Sequence, residues 1–142
     1  MGTTMTFRIL GCGASPGTPR IGNDWGRCDP HEPRNRRRRA SLLVTRTAPN
    51  GATTRVLVDA GADLREQMLE AHVGWVDAVL ITHAHADHIH GIDDLRAFAI
   101  NRQHLVDIWM DEAASKRVRS AFDYCFVTPP GSAYPPILKE HR

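Results

Sequence analysis

The sequence has few cysteines and no long apolar run. Its three cysteines, Cys12, Cys28 and Cys125, contain no Cys-x-x-Cys pair and are odd in number, which argues against a disulfide framework and favours a reducing compartment. No apolar run approaches the roughly 20 residues that cross a bilayer. The first residues also lack the basic and apolar regions of a secretion signal. We therefore expect a cytoplasmic protein without a membrane segment.

The chain also lacks an excess of charge of one sign, since its formal net charge is +2 over 142 residues. So small a charge creates no overall field that demands a nucleic acid, although the basic residues are almost all arginine. The 42% hydrophobic and 24% charged fractions are ordinary for a globular protein and argue against disorder. The length suits one domain with a fair core.

The most informative stretch is residues 78–91, where an apolar run precedes four histidines and an aspartate within eight residues. Residues 78–81 predict a strand buried on both faces, and Gly91 opens a helical pattern, so the histidines are predicted to lie on a strand-to-helix loop. Imidazoles and a carboxylate on one loop are ligands for zinc, manganese or iron. The alternative is a set of solvated histidines, but imidazoles crowded without a metal repel one another when protonated.

The remaining pattern alternates strands and amphipathic helices. Residues 14–39 are rich in Gly, Pro and Arg without periodicity, which favours a substrate-side loop over a flexible insertion. Within it, the arginine run at 34–39 is equally compatible with phosphate binding and with a solvated surface. Strands are predicted over residues 6–10, 40–46, 55–58 and 105–110, and helices over residues 62–73 and 112–124. Residues 128–136 predict a proline-rich connection.

The motif His83-Ala84-His85-Ala86-Asp87-His88 resembles the HxHxDH signature of the metallo-β-lactamase fold hydrolases. Further segments are similar to the branch that contains the cyclic-phosphate phosphodiesterase of phosphonate breakdown; they are residues 10–15, 17–22, 35–37, 41–44, 59–61 and 91–96. The resemblance implies an α/β fold, the metallo-β-lactamase αββα sandwich, of which this chain supplies mainly one sheet and its helices. Residues 1–142 are then the N-terminal half of a single domain of this fold.

The resemblance also implies two divalent metal ions, zinc or manganese and otherwise iron. His83 and His85 are expected to bind one ion, and Asp87 and His88 the other. Asp87 and Asp59 are given the catalytic roles, Asp87 as a metal ligand and Asp59 as the support that orients a histidine of the metal loop. From the residues alone, Asp59 is equally suited to cap the helix that follows. Arg20, Arg36 and Arg37 are weaker candidates for substrate phosphate contact.

Counting ligands shows that the motif is half a site. A catalytic zinc takes about three protein ligands, and a two-metal site about twice that number, partly shared. Proteins of the family draw the remaining ligands from the second half of a longer chain, whereas His104 and His141 are expected to serve packing or the surface. We therefore expect the missing C-terminal half, or a second copy in a homodimer, to complete the site and to cover an apolar sheet face.

The expected function is metal-dependent hydrolysis of a small cyclic or nucleotide-like phosphodiester, in which two metals activate a water for in-line attack. One alternative is a tRNA 3′-processing nuclease of the same fold, the only alternative with a nucleic-acid partner. That family usually follows the aspartate strand with a Cys-Gly-Glu-Gly-Thr-like stretch, and here the chain reads Asp59-Ala60-Gly61-Ala62-Asp63. A second alternative is a catalytically incomplete half-domain that binds metal and dimerises.

Overall fold

The computed structural model describes residues 2–142, and in these residues one six-stranded sheet carries its strands in chain order. The first three strands pair antiparallel, and each later strand pairs parallel with the one before it. Parallel neighbours in chain order require crossovers, and helices supply them. The strands are β1 (Thr4–Gly11), β2 (Ser41–Thr47), β3 (Thr53–Val58), β4 (Ala78–Leu80), β5 (Val106–Trp109) and β6 (Leu138–His141).

The helices pack against one face of this sheet and bury it. Leu43, Leu57, Val79 and Ile108 are at most 4% exposed on that face, and the same core contains apolar side chains of the helices. Each helix presents its apolar stripe to the sheet, which is the usual reason for a layered α/β arrangement. The helices are α1 (Leu64–Ala71), α2 (Ala86–Ile89), α3 (Arg96–Arg102) and α4 (Glu112–Phe122).

The opposite face of the sheet is apolar and open to solvent. On β1, the outward side chains Met5, Phe7 and Ile9 are 57%, 64% and 69% exposed. A strand buried on both faces was predicted at residues 78–81, and this is wrong for Leu80, which is 40% exposed. The consecutive apolar pattern reflects a face that is apolar without being covered by the described residues, so the sheet has one packed side and one bare side.

Most predicted elements are present with shifted ends. The helix predicted at 62–73 is shorter because the chain leaves α1 at His72, whose φ of 54° is left-handed. The metal loop is partly helical, since Asp87 and His88 lie in α2. The prediction missed β6, which follows the proline-rich connection, because four residues are too few for a periodic signal. None of the helices in residues 2–142 has both the length and the apolarity needed to cross a membrane.

Stability should fall at alkaline pH because of two ionisable side chains, Tyr124 and Cys125, that follow α4 in the chain. Burial raises the pKa of the Cys125 thiol to about 11 and the pKa of the neighbouring Tyr124 to about 12, and the Asp93 carboxylate adds to both shifts. Above about pH 9 the unfolded chain releases the thiol proton while the folded chain keeps it, so ionisation favours unfolding. We expect Cys125 to lower the free energy of unfolding by about 1.4 kcal/mol per pH unit between about pH 9 and 11.

Urea unfolding at pH 8, 9 and 10 measures this slope. Replacing Cys125 with serine removes the titrating thiol and should flatten the decline between pH 9 and 10, whatever its effect at pH 8. Cys28 is exposed, so Cys28→Ser serves as the matched control and should keep the wild-type slope. Equal slopes for Cys125→Ser and the wild type would contradict the assignment.

Candidate metal centre

The histidine motif lies where β4 ends and α2 begins. The amide of Ile81 donates to the carbonyl of Trp109, which ties the chain to β5 one residue beyond β4. The backbone then runs extended through His83 to His85, the N-cap residue of α2. Asp87 and His88 follow in the first turn of that helix and are half-buried. The carboxyl ends of the parallel strands therefore bring the motif to one end of the sheet, where sites in open α/β sheets usually form.

His83 and His85 form the first pair of donors. Nε2 of His83 lies 3.2 Å from Nδ1 of His85, and both rings are exposed. Two imidazole nitrogens bound to one tetrahedral zinc, each roughly 2.0–2.1 Å from it, lie about 3.3 Å apart. The nitrogens of these two side chains face each other. The separation fits two ligands of a single ion.

Asp87 and His88 form the second pair. Oδ2 of Asp87 lies 3.3 Å from Nε2 of His88, and the His88 ring centroid is 4.0 Å from that of His83. The two pairs are thus neighbours in one cluster. A hydrogen bond from the Ser15 hydroxyl holds the pKa of Asp87 below its usual value, while burial opposes this shift and the charges of His88 and His83 assist it. Asp87 is therefore an ionised carboxylate over a wide pH range, which is the form that binds metal.

Asp59 supports both pairs from beneath. Its Oδ2 lies 2.7 Å from Nδ1 of His88, and its carboxylate accepts hydrogen bonds from the Thr82 amide at 2.8 Å and the Thr82 hydroxyl at 2.8–2.9 Å. Because that hydroxyl donates to Asp59, its oxygen is free to accept from Nδ1 of His83, 3.0 Å away. Assigned from this network, Nδ1 carries the proton in both His83 and His88, so both Nε2 lone pairs face the cluster.

The alternative role of Asp59 as a helix cap is wrong. The N-cap residue of α1 is Asp63, and the Asp59 carboxylate is turned toward the metal loop instead. Asp59 has a left-handed φ of 63°, which is unfavourable for a residue with a side chain and is kept only where the surroundings impose it. The Ser41 hydroxyl bonds the Asp59 carbonyl, and the Asp59 amide bonds the Leu80 carbonyl. These contacts fix the carboxylate beneath the histidines.

Two glycines allow the metal loop to lie against this turn. A Cβ on Gly61 would come within 2.0 Å of the Asp87 carbonyl oxygen, and a Cβ on Gly91 within 2.1 Å of the Gly61 carbonyl oxygen. Backbone bonds from Ala60 to the His88 carbonyl and from Gly91 to the Ala60 carbonyl close the contact. Neither this packing nor a role for Ser15 or Ser41 was predicted from the sequence. The small residues at the strand ends are the only sign of this close packing in the sequence.

The remaining candidates have partners outside the cluster. Arg20 forms an ion pair with Asp24 at 2.7 Å, and Arg37 donates to the Cys12 sulfur at 3.0 Å. His141 lies 2.5 Å from Asp107 and stacks on Trp109, with ring centroids 4.3 Å apart. His104 meets the Trp75 ring edge-on. None of these contacts joins the side chain to the histidine cluster, and the roles of Arg20, Arg36 and Arg37 in substrate binding stay predictions.

The imidazole nitrogens and the carboxylate of the two pairs are suitable ligands for a divalent ion. Within residues 2–142, no group of three or more His, Cys, Asp or Glu side chains has the arrangement that holds a metal ion. The observation in favour of metal binding is the set of Nε2 lone pairs that Asp59 and Thr82 aim into one cluster beside an ionised carboxylate. Such a mixed imidazole and carboxylate set fits zinc, manganese or iron.

Comparison with known structures identifies the fold. The chain superposes on a structure described as a new diphosphatase from the PhnP family with a TM-score of 0.80 and 33% identity, over 99% of this chain and 51% of that one. Zn²⁺-bound PqqB from Methylobacterium extorquens shares the fold at 19% identity and a TM-score of 0.58, over 97% of this chain and 45% of its own. A long form RNase Z from yeast matches at 18% identity and a TM-score of 0.52, over 81% and 15%.

Comparison by sequence gives the family. A protein named octanoyltransferase from Porphyromonas gingivalis (strain ATCC BAA-308 / W83) is 35% identical over 133 residues, which is 92% of this chain and 25% of that protein. The chain thus spans about a quarter of this curated relative and about half of the diphosphatase. The family model described as "Beta-lactamase superfamily domain" matches residues 54–140, which include the whole histidine motif. The chain therefore belongs to the beta-lactamase superfamily domain family and has the metallo-β-lactamase fold.

Proposed function

We propose that this chain carries the first half of the active site of a metal-dependent hydrolase that cuts a small phosphodiester. One observation carries the proposal. The two donor pairs lie side by side, and Asp59 and Thr82 fix the tautomers of His88 and His83. The similarity to a PhnP-family diphosphatase at 33% identity supports a phosphorus ester as the class of substrate. The similarity to zinc-bound PqqB supports a divalent ion but, at 19% identity, concerns the fold alone.

Each side chain then has a defined task. His83 and His85 would hold one ion, and Asp87 and His88 the other. Divalent ions bound there supply Lewis-acid polarisation of phosphoryl oxygens and a water whose pKa is near neutrality. Asp59 keeps His88 and, through Thr82, His83 in the tautomer that leaves Nε2 unprotonated. Ser15 keeps Asp87 ionised by donating to its carboxylate.

The site needs donors from outside this chain's cluster. Two protein donors per ion fall short of the three that a catalytic zinc usually has. The bare apolar face of the sheet, which includes Phe7, Ile9 and Leu80, indicates where further structure packs. We propose that a C-terminal half, or a second copy of this chain in a homodimer, covers that face and supplies the missing ligands. The diphosphatase, about twice this length, has room for such a half.

A second candidate is a metal-binding half-domain that dimerises without catalysis. This candidate is favoured because the possible metal-binding side chains come in pairs, and residues 2–142 contain no group of three arranged to hold a metal ion. The tRNA 3′-processing nuclease has weaker support, since the yeast RNase Z comparison concerns the fold alone at 18% identity. A salt-dependent affinity for tRNA would favour the nuclease.

Hydrolysis of bis(p-nitrophenyl) phosphate by the purified chain tests the proposal, with Zn²⁺ and Mn²⁺ added separately. We expect turnover that disappears on chelation and returns with metal, in a fraction whose mass by sedimentation is a multiple of 15.8 kDa. The double variant His83→Ala/His85→Ala should be inactive. His31→Ala is the matched control, because His31 is an exposed histidine of the long loop, and it should keep wild-type activity.

Metal uptake without turnover in every oligomeric fraction would exclude completion of the site by a second copy of this chain. Turnover that survives chelation, or that is unchanged in His83→Ala/His85→Ala, would contradict both candidates. Analysis of the metal content of protein purified without added ions would assign the element.

A further inference from the structure

A second cleft lies at the free edge of the sheet, beyond β1. Its volume is about 490 Å³, which is within the range of small-molecule sites. The wall is formed by the glycine-rich turn after β1, the loop around Thr18, the arginine segment 36–39 and two acids of the α1 region. The edge strand β1 is three strands away from β4, which leads into the histidine motif. No residue of the histidine cluster lines the cleft, although Pro16 of its wall follows Ser15, which bonds the Asp87 carboxylate. The cleft therefore borders the candidate metal centre without sharing a residue with it.

The charges in this cleft do not cancel. Arg39 pairs with Asp63, with a separation of 2.9 Å between Nε and Oδ2, and Arg38 pairs with Glu70. These two pairs use both carboxylates of the wall. Within residues 2–142, Arg36 and Arg37 form no ion pair with a carboxylate, and the Arg37 guanidinium donates to the Cys12 sulfur. The cleft thus keeps about two positive charges that face solvent.

The backbone of both arginines is held in place. Arg37 and Thr18 exchange two hydrogen bonds, of 2.8 Å and 3.0 Å, and the amide of Gly13 bonds the carbonyl of Arg38 at 2.7 Å. The amide of Arg36 bonds the carbonyl of Pro33 at 3.1 Å. A merely solvated arginine run has no need for such fixed positions. Here the backbone of the binding residues is fixed before a ligand arrives, and the Arg37 guanidinium is also held by the Cys12 sulfur, which lowers the entropic cost of binding.

The chemistry of the wall selects the ligand. Guanidinium groups form paired, charge-assisted hydrogen bonds with phosphate oxygens, and two uncompensated guanidinium groups match the charge of a phosphate monoester dianion. The volume exceeds that of a single phosphate, which leaves room for an organic group. Arg20 pairs with Asp24 and does not line this cleft, so its expected role stays a prediction.

We propose that this cleft, which adjoins the histidine cluster but contains none of its residues, binds the dianionic phosphate of a phosphate monoester through Arg36 and Arg37. The two sites open at the same end of the sheet, since Gly11 ends β1 opposite Ser41, whose hydroxyl bonds the carbonyl of Asp59. The binding does not depend on the proposed hydrolysis, because metal is not needed for it.

Calorimetric titration of the metal-free chain in EDTA at pH 8 tests the inference. The probes are phenyl phosphate, inorganic phosphate and diphenyl phosphate, the last of which carries one charge. We expect saturable binding of phenyl phosphate that weakens as salt rises, and much weaker binding of diphenyl phosphate. The double variant Arg36→Gln/Arg37→Gln should bind phenyl phosphate at least about tenfold more weakly. Equal affinity for both dianions would identify the ligand as free phosphate, and tighter binding of phenyl phosphate as an organic monoester.

Two control variants separate this site from other causes. Arg117→Gln removes an exposed arginine of α4 and should leave the affinity unchanged. His83→Ala/His85→Ala should also bind phenyl phosphate normally, even if it has lost every trace of hydrolysis. The proposal is overturned if phenyl phosphate does not bind, if the Arg36/Arg37 variant binds it like the wild type while its thermal melt is unchanged, or if the histidine variant loses binding.

Discussion

Replacing Gly61 with alanine is expected to destabilise the fold by about 3–5 kcal/mol and to displace the metal loop. The new Cβ would lie 2.0 Å from the carbonyl oxygen of Asp87 and 3.0 Å from its carbonyl carbon. These are backbone atoms at the start of α2, so no side chain can turn away to make room. The loop must move away from the Asp59 turn, which breaks the hydrogen bond from the Ala60 amide to the His88 carbonyl.

Thermal melting and metal titration together check this prediction. We expect a fall in the melting temperature of about 10 °C or more for a chain of this length, together with weaker metal binding. Gly74→Ala is the matched control, because a Cβ there meets only the Asn101 side chain at an ordinary 3.6 Å. A Gly61→Ala protein that melts and binds metal like Gly74→Ala would show that the two loops do not depend on this close contact.

Periodicity predicted the elements that face the buried core, and the histidine spacing predicted the loop on which the donor side chains come together. The helix of Leu64 and Met68 buries positions at helical spacing, and the strands of Leu43 and Leu57 bury one face more deeply than the other, so local pattern suffices there. His83 and His85 gave a dense signal because two imidazoles two residues apart in an extended segment have to face the same way. These features follow from short-range sequence alone.

Other features depend on contacts between distant segments, which no local pattern encodes. The arginine run looked uniform, but Arg38 and Arg39 pair with acids of the α1 region while Arg36 and Arg37 do not, and only the fold decides this. Likewise Ser15 reaches Asp87 across 72 residues of chain. The apolar run at 78–81 predicted a strand buried on both faces. An apolar pattern indicates that a face needs to be covered, but not that the same segment of chain covers it, and residues 2–142 leave Leu80 exposed.

Replacing Asp59 is expected to weaken metal binding about 10- to 100-fold, because this carboxylate sets the tautomer of two of the proposed ligands. In Asp59→Ala, His88 loses its partner at Nδ1 and the Thr82 hydroxyl is free to rotate, so His83 loses its orientation as well. The Thr82 amide also loses its acceptor in a part-buried position. We therefore expect a loss of stability of about 1–3 kcal/mol in addition to the loss of affinity.

The asparagine variant separates the two effects. In Asp59→Asn the amide oxygen can still accept from the Thr82 amide, which places the NH₂ group against Nδ1 of His88. That NH₂ donates, so Nδ1 must accept and the imidazole proton moves to Nε2, the nitrogen that is meant to bind the ion. Asp59→Asn should therefore keep most of the stability and still lose metal affinity as severely as Asp59→Ala.

Thr82→Val and Asp94→Asn complete the comparison. Valine removes only the hydroxyl that links Asp59 to His83, so it should impair the first donor pair and leave the bond between Asp59 and His88 intact. Asp94 is an exposed carboxylate of the turn before α3, and its replacement should change neither stability nor affinity. Zinc titration with a competing chelator, together with thermal melts, measures both quantities for each variant. If Asp59→Asn binds zinc like the wild type, the carboxylate does not act through the tautomer, and its role is limited to holding the loop.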